Sequence, residues 1–190
     1  DRRLSLQQRF PADINIKLPV VIEASDIAAV TSVLKDSQDD DTVRNEAANL
    51  LHRSKYRQLP GILIEILGQA AEKERFRTFA LQHLTAMLEE TEAYDTEAIG
   101  KRIEEALADR HPGVRREALM ALVRVRHPKG AQTALEWLKA SGPEARAYRD
   151  VAIRCVCELD LKDQIPTIRE FARDEDPVVR IAAIGALSTW

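Results

Sequence analysis

Aromatic residues make up only 5% of this 190-residue chain. That is too few to suit a β-sandwich core or to interleave its arginines with base-stacking rings. Cysteine occurs twice, at Cys155 and Cys157, so no disulfide framework is available. On a helix two such positions diverge by about 200°. They neither bridge nor grip one metal, and we read them as small buried apolar residues. Seven glycines are scattered, with no phosphate-cradling loop and no Gly-x-Ser-x-Gly elbow. The four histidines, His52, His83, His111 and His127, lack metal spacing from one another and from the cysteines. They read as surface or cap positions. No apolar run approaches the roughly 20 residues of a membrane-spanning helix, so no membrane insertion is expected. A net charge of −3 gives no overall pull toward nucleic acid or anionic lipid. Acidic clusters such as Asp39-Asp40-Asp41, Glu89-Glu90 and Glu104-Glu105 read as solvated faces and helix caps rather than acid–base pairs. These absences assign no catalytic residue, cofactor or metal, and the reading is of a non-enzyme.

What the chain does have is a 45% apolar, 31% charged composition and a recurring stretch. Asp174 to Leu187 reads DEDPVVRIAAIGAL, and Asp109 to Leu122 reads DRHPGVRREALMAL. Aligned on the arginine, a small residue follows three positions on and an aliphatic one seven on. Arg44, Ala47 and Leu51 fit, as do Arg77, Ala80 and Leu84; Arg115, Ala118 and Leu122; Arg149, Ala152 and Val156; and Arg180, Ala183 and Leu187. A large apolar or aromatic residue (Val43, Phe76, Val114, Tyr148, Val179) precedes each arginine. Five matches separated by 33, 38, 34 and 31 residues constitute a repeat. These offsets place the apolar residues on one helix face, with alanine admitting a close helix neighbour. Asp176-Pro177 supplies an N-cap and a first-turn proline, His111-Pro112 is a looser equivalent, and Asp40 and Asp41 precede Arg44.

Ahead of each such helix lies another apolar segment, among them Ile27-Val30-Val33-Leu34 and Ile62-Leu63-Ile66-Leu67. Breakers at Leu59-Pro60-Gly61, His127-Pro128 and Gly142-Pro143 separate the units. Each unit is therefore expected to be a helical hairpin that needs its neighbours for burial. The pattern Asp-x-x-Pro-x-Val-Arg-x-x-Ala-x-x-Ala-Leu, carried by Asp109 to Leu122 and Asp174 to Leu187, resembles the HEAT repeat. It is most similar to the short bacterial variety also found in phycocyanobilin-lyase-type proteins. The resemblance implies an all-α, right-handed α-α superhelix, or solenoid, of about five HEAT-like hairpins over residues 25–190. The approximate units are 25–58, 59–91, 92–127, 128–159 and 160–190. Residues 1–24, with Arg2, Arg3, Arg9 and the Leu18-Pro19-Val20-Val21-Ile22 run, do not fit the repeat and are read as the tail of a preceding segment or as an N-terminal extension capping the first hairpin, and the chain as an excerpt of a longer protein.

The arginines Arg44, Arg77, Arg115, Arg149 and Arg180 are expected to form a structural ladder with Asp109 and Asp174, pairing Asp109 with Arg115 and Asp174 with Arg180, or to reach carbonyls of adjacent loops. Three units depart from the pattern: Ala71, Pro143 and Gln38 stand where the aspartate would be, which interrupts the Asp–Arg series. Second helices carry net positive charge and first helices net negative charge. In HEAT-like solenoids second helices line the concave side, so the resemblance implies a mildly basic inner surface. Arg53, Lys55, Arg57, Arg116, Arg124, Arg126 and Arg154 are its candidates. The expected function is a non-catalytic scaffold for a protein or peptide partner. Nucleic-acid binding and a bilin-lyase-type subunit are the alternatives, the first disfavoured by net charge, the second resting on fold likeness alone.

Overall fold

The computed structural model describes residues 22–90 and 93–190, and these form ten α-helices and one short 3-10 turn, without a strand among them. The readings made on Arg2, Arg3, Arg9 and the run Leu18 to Val21 lie outside the described residues, as does the unit boundary at 91. The helices are α1 (Ala24–Lys35), α2 (Asp41–Arg53), α3 (Leu59–Gly68), α4 (Glu74–Leu88), α5 (Thr96–Ala106), α6 (Pro112–Arg124), α7 (Pro128–Lys139), α8 (Pro143–Glu158), α9 (Ile165–Phe171) and α10 (Pro177–Thr189), with the 3-10 turn at Lys162–Gln164.

Side-chain caps set several starts. Asp40 accepts the Thr42 N–H at 2.8 Å, and Asp176 accepts that of Val178 at 2.8 Å. His127 accepts the Lys129 N–H at 3.3 Å. His111 makes no side-chain cap bond, and the following proline carries that start. Three second helices stop alike. Lys55, Arg126 and Asp160 take left-handed φ values of 57°, 54° and 54°. The next N–H in each case (Tyr56, His127, Leu161) reaches back to Leu51, Leu122 and Val156 carbonyls at 3.0, 2.8 and 3.1 Å. Glycine usually fills that left-handed site. Here no glycine marks it, so these ends are silent in the sequence.

The packing is repeat-like. Helices pair as α1 with α2, α3 with α4, α5 with α6, α7 with α8 and α9 with α10, and every substantial contact among the described residues lies within a pair or between successive pairs. Second helices pack in series: α2 on α4, α4 on α6, α6 on α8, α8 on α10. The alanines three beyond each arginine are buried: Ala47, Ala80, Ala118, Ala152 and Ala183. Seven beyond, Leu51, Leu84, Leu122 and Val156 are buried, and Leu187 is half-buried. The position before the arginine departs from a uniform apolar face. Phe76, Val114 and Val179 are buried and Tyr148 half-buried, but Val43 is 48% exposed. Helix α2, which carries Val43, belongs to the first described pair.

The apolar interior is two clusters in line. One runs from Leu34 to Leu122, the other from Leu119 to Ala186. Helix α6 serves both, since Ala118 and Leu122 face the first and Leu119 and Val123 the second. Where α7 crosses α6, Gly130 is buried, and a Cβ there would lie 2.9 Å from the Leu122 carbonyl carbon and 2.9 Å from the Val123 nitrogen. Backbone cannot yield as a side chain does. Gly130→Ala should therefore destabilise the protein by about 1–3 kcal/mol in urea melts. A change within about 0.5 kcal/mol, as at an ordinary surface position, would mean that α6 and α7 separate freely.

Candidate functional site

The arginine series builds joints between units, and the geometry corrects the expected pairing. Arg44 is fully buried and donates to both oxygens of Glu72, at 3.0 and 2.6 Å, and through Nε to the Leu34 carbonyl at 3.2 Å. Its guanidinium lies 3.6 Å from the centre of the Phe76 ring. Arg77 donates to the Asp109 carboxylate. Arg149 donates to Asp174 at 2.9 Å and stands over Phe171 at 4.9 Å. So Asp109 and Asp174 serve the preceding arginine. Arg115 and Arg180 instead donate to the main-chain carbonyls of Asp109 and Asp174, within their own units. The reason is steric economy at the loop: one carboxylate oxygen is held by the N–H two residues on, His111 or Asp176 at 2.9 Å in each case. The other oxygen then faces backward.

The series is also continuous through the departures. Glu72, five before Arg77, replaces the aspartate of the second unit, with Oε1 held by the Lys73 N–H at 2.9 Å. In the fourth unit the Tyr148 hydroxyl receives the Arg115 Nε at 2.7 Å. Burial pushes the Glu72 carboxyl up, but its bonds from Arg44 and the Lys73 N–H outweigh this and hold it below the usual carboxylate range. An acid anywhere in that loop would have been the signal; a fixed offset of six misses it.

The candidate basic surface divides. Arg116 is a joint: it grips both oxygens of buried Asp150, each at 2.7 Å, and the Ala147 carbonyl at 2.6 Å. Lys55 pairs with Glu90, Arg124 with Glu89 at 2.9 Å, and Arg154 with Asp150 at 3.9 Å. Arg53, Arg57 and Arg126 are exposed and enter no ion pair among the described residues. The positive charge of the second helices is thus partly answered by acids, of the next unit for Lys55 and Arg116, of the preceding unit for Arg124 and of the same helix for Arg154.

A polar cluster that sequence reasoning did not find lies between α2 and α4. His83 is buried, not a surface or cap residue, and its Nε2 meets the Asn45 Oδ1 at 3.0 Å. The His52 ring stands 5.9 Å from His83 and 6.0 Å from Tyr94. Burial, with His52 nearby, takes His83 down to about 4. Burial likewise lowers His52, against the opposing pull of Glu90. Asn45 and His83 occupy ordinary helix positions, and nothing in their spacing announces that they meet. A cleft of ≈ 510 Å³ beside α5, at the C-terminal ends of α4 and α6, is lined by Leu88, Glu97, Lys101, Glu104, Leu122 and His127. Cys155 is buried and its thiol is pushed up to about 12 by burial, so it stays a thiol, and Cys157 is half-buried. Among the described residues no group of three or more metal-ligating side chains occurs, and no helix is long and apolar enough to cross a membrane.

No family model matches the chain, and no curated protein matches it. Among solved structures, the crystal structure of an engineered protein from the Northeast Structural Genomics Consortium matches 86% of this chain and 78% of that one, with a TM-score of 0.51 and 14% identity. At that identity the likeness concerns fold alone, an all-helical chain with repeat-like packing.

Proposed function

We propose that the chain is a HEAT-like α-α superhelix of five hairpins that serves as a non-catalytic scaffold, binding a protein or peptide partner along its second helices. The observation that supports this most is the serial packing of α2, α4, α6, α8 and α10. Helices laid side by side in this way form one long surface, and long repeat surfaces suit extended partners. The cations available on it are Arg53, Arg57 and Arg126, with Lys55, Arg124 and Arg154 partly engaged and Arg116 reserved for the joint to Asp150. The partner's contact face would accordingly carry carboxylates near the α2 and α6 ends.

The test is a triple reversal, Arg53→Glu, Arg57→Glu and Arg126→Glu, set beside Lys101→Glu on α5. A partner held by the wild type and by the Lys101 variant, but lost from the triple variant, is the expected result. Equal capture by all three would overturn the surface assignment. Binding that instead follows duplex DNA and weakens steeply with salt would replace a protein partner by nucleic acid.

A further inference from the structure

Carboxylates that bridge successive units along the second helices are answered by cations. Glu90 takes Lys55, Glu89 takes Arg124 at 2.9 Å and Asp150 takes Arg116 at 2.7 Å. Glu117 is the exception. It follows Arg116 on α6, but where Arg116 turns forward to α8, Glu117 turns back to α4 and takes its hydrogen bond from Gln82. Helices α4 and α6 pack side by side. The Glu117–Gln82 contact lies two turns before the Arg124–Glu89 contact, seven residues back on each helix, so the two belong to one seam. At one crossing the acid meets a guanidinium, at the other only an amide.

Glu117 is half-buried and enters no ion pair among the described residues. Burial pushes its carboxyl above the usual carboxylate range, and the Gln82 bond offsets only part of this. Glu72 and Asp150 are buried too, yet arginine bonds hold both down. Folding thus leaves, on the third of five second helices, a charge whose water is partly stripped and not replaced. The approach to it is open. Gln82 is exposed, and Met120, one turn beyond Glu117 on the same face, is 40% exposed while Leu119, Ala121, Leu122 and Val123 around it are buried. An apolar step beside an unanswered carboxylate suits a side chain that is aliphatic along its stem and cationic at its tip.

We propose that Glu117 receives an arginine or lysine side chain of the protein partner, whose stem lies on Met120 and whose charge supplies the ion pair that Arg124 already gives Glu89 within the chain. This rests on the second-helix surface proposed above and adds to it the sign of the central contact. The partner is cationic where it meets α6 at Glu117, and acidic where it meets Arg53, Arg57 and Arg126. Charge of one sign throughout the partner's contact face would leave Glu117 desolvated further and still unpaired, which costs affinity.

Selection of a displayed library of random peptides on the 190-residue chain tests this. The selected sequences should share an arginine or lysine, and synthetic copies should bind Glu117→Gln roughly ten- to a hundredfold more weakly than wild type. Replacing that basic residue by norleucine should cost the wild type as much and cost Glu117→Gln little more. The variant itself should keep wild-type helicity and unfold at a higher urea concentration at pH 7, because a half-buried charge without a counter-ion is gone. Peptides that bind wild type and Glu117→Gln alike, yet are lost from the triple reversal of Arg53, Arg57 and Arg126, overturn the role of Glu117 and leave the surface standing. Peptides weakened by neither change, or a library that yields none, overturn both. A lower urea midpoint for Glu117→Gln would place its counter-charge within the chain and overturn the proposal. Self-association of the wild type that Glu117→Gln abolishes would make a second copy of this chain the occupant, and overturns it as well.

Discussion

Arg44→Met should lower the free energy of unfolding by about 3–5 kcal/mol, the cost of leaving one half of a buried ion pair alone. Both side chains of the pair are fully buried, and Glu72 would keep only the Lys73 N–H. Methionine approximates the volume and can still lie on the Phe76 ring, so the loss reports charge rather than shape. Removing the partner as well, in Arg44→Met with Glu72→Met, should recover most of the loss, because the orphaned carboxylate is gone. Urea unfolding of the two single variants and the double measures the coupling. A loss under about 1 kcal/mol for Arg44→Met, as at an exposed pair, would show that this joint is not what holds the first unit to the second.

A second large effect is expected with pH. His83 titrates at about 4 in the folded chain against an ordinary 6.5. A lowered folded-state value means that the native protein holds the neutral ring, so this stability is complete above pH 6.5 and is lost as pH falls toward 4. Two and a half units correspond to about 3 kcal/mol. The groups that face the ring are Asn45 and His52, and neither offers a charge that would welcome the proton. His83→Gln should flatten the decline between pH 6.5 and 4 while leaving the fold intact, as read from urea midpoints at pH 7, 5.5 and 4. An undiminished slope in that variant would assign the titration elsewhere. Below pH 4 a further loss should set in for both proteins. Glu72, Asp150 and Asp174 are all held below the ordinary carboxylate range, the first two by arginine bonds that overcome burial and the third chiefly by the Asp176 N–H. Protonating them removes those attractions.

The helical repeat was legible because its signals are local. Arginine with alanine three on and an aliphatic residue seven on defines a helix face whatever that face meets, and Ala118, Leu122, Ala152 and Val156 are buried accordingly. Caps such as Asp40 and Asp176 are legible for the same reason, since donor and acceptor lie two residues apart. Contacts between units were not. Spacing along the chain says that Asp109 stands near Arg115, but not that its free oxygen turns toward Arg77, 32 residues earlier. Arg116 looked like a surface cation for want of any local acid, and its partner Asp150 is 34 residues away. His83 and Asn45 were invisible on the same grounds. Val43, 48% exposed where its counterparts Phe76, Val114 and Val179 are buried, is treated by a periodic pattern like any other.

Because each joint runs from an arginine to an acceptor in the next unit, the units are not interchangeable parts. A duplicated third unit would bring both Asp109 and Arg115, and could be spliced between others with its charges answered on each side. A duplicated fourth would offer the hydroxyl of Tyr148 where an acid is usual, and the arginine set above it would keep its charge uncancelled. Lengthening by tandem copying would therefore keep an ion pair at the new joint for some modules and exchange it for a neutral hydroxyl bond, such as Arg115 already makes, for others.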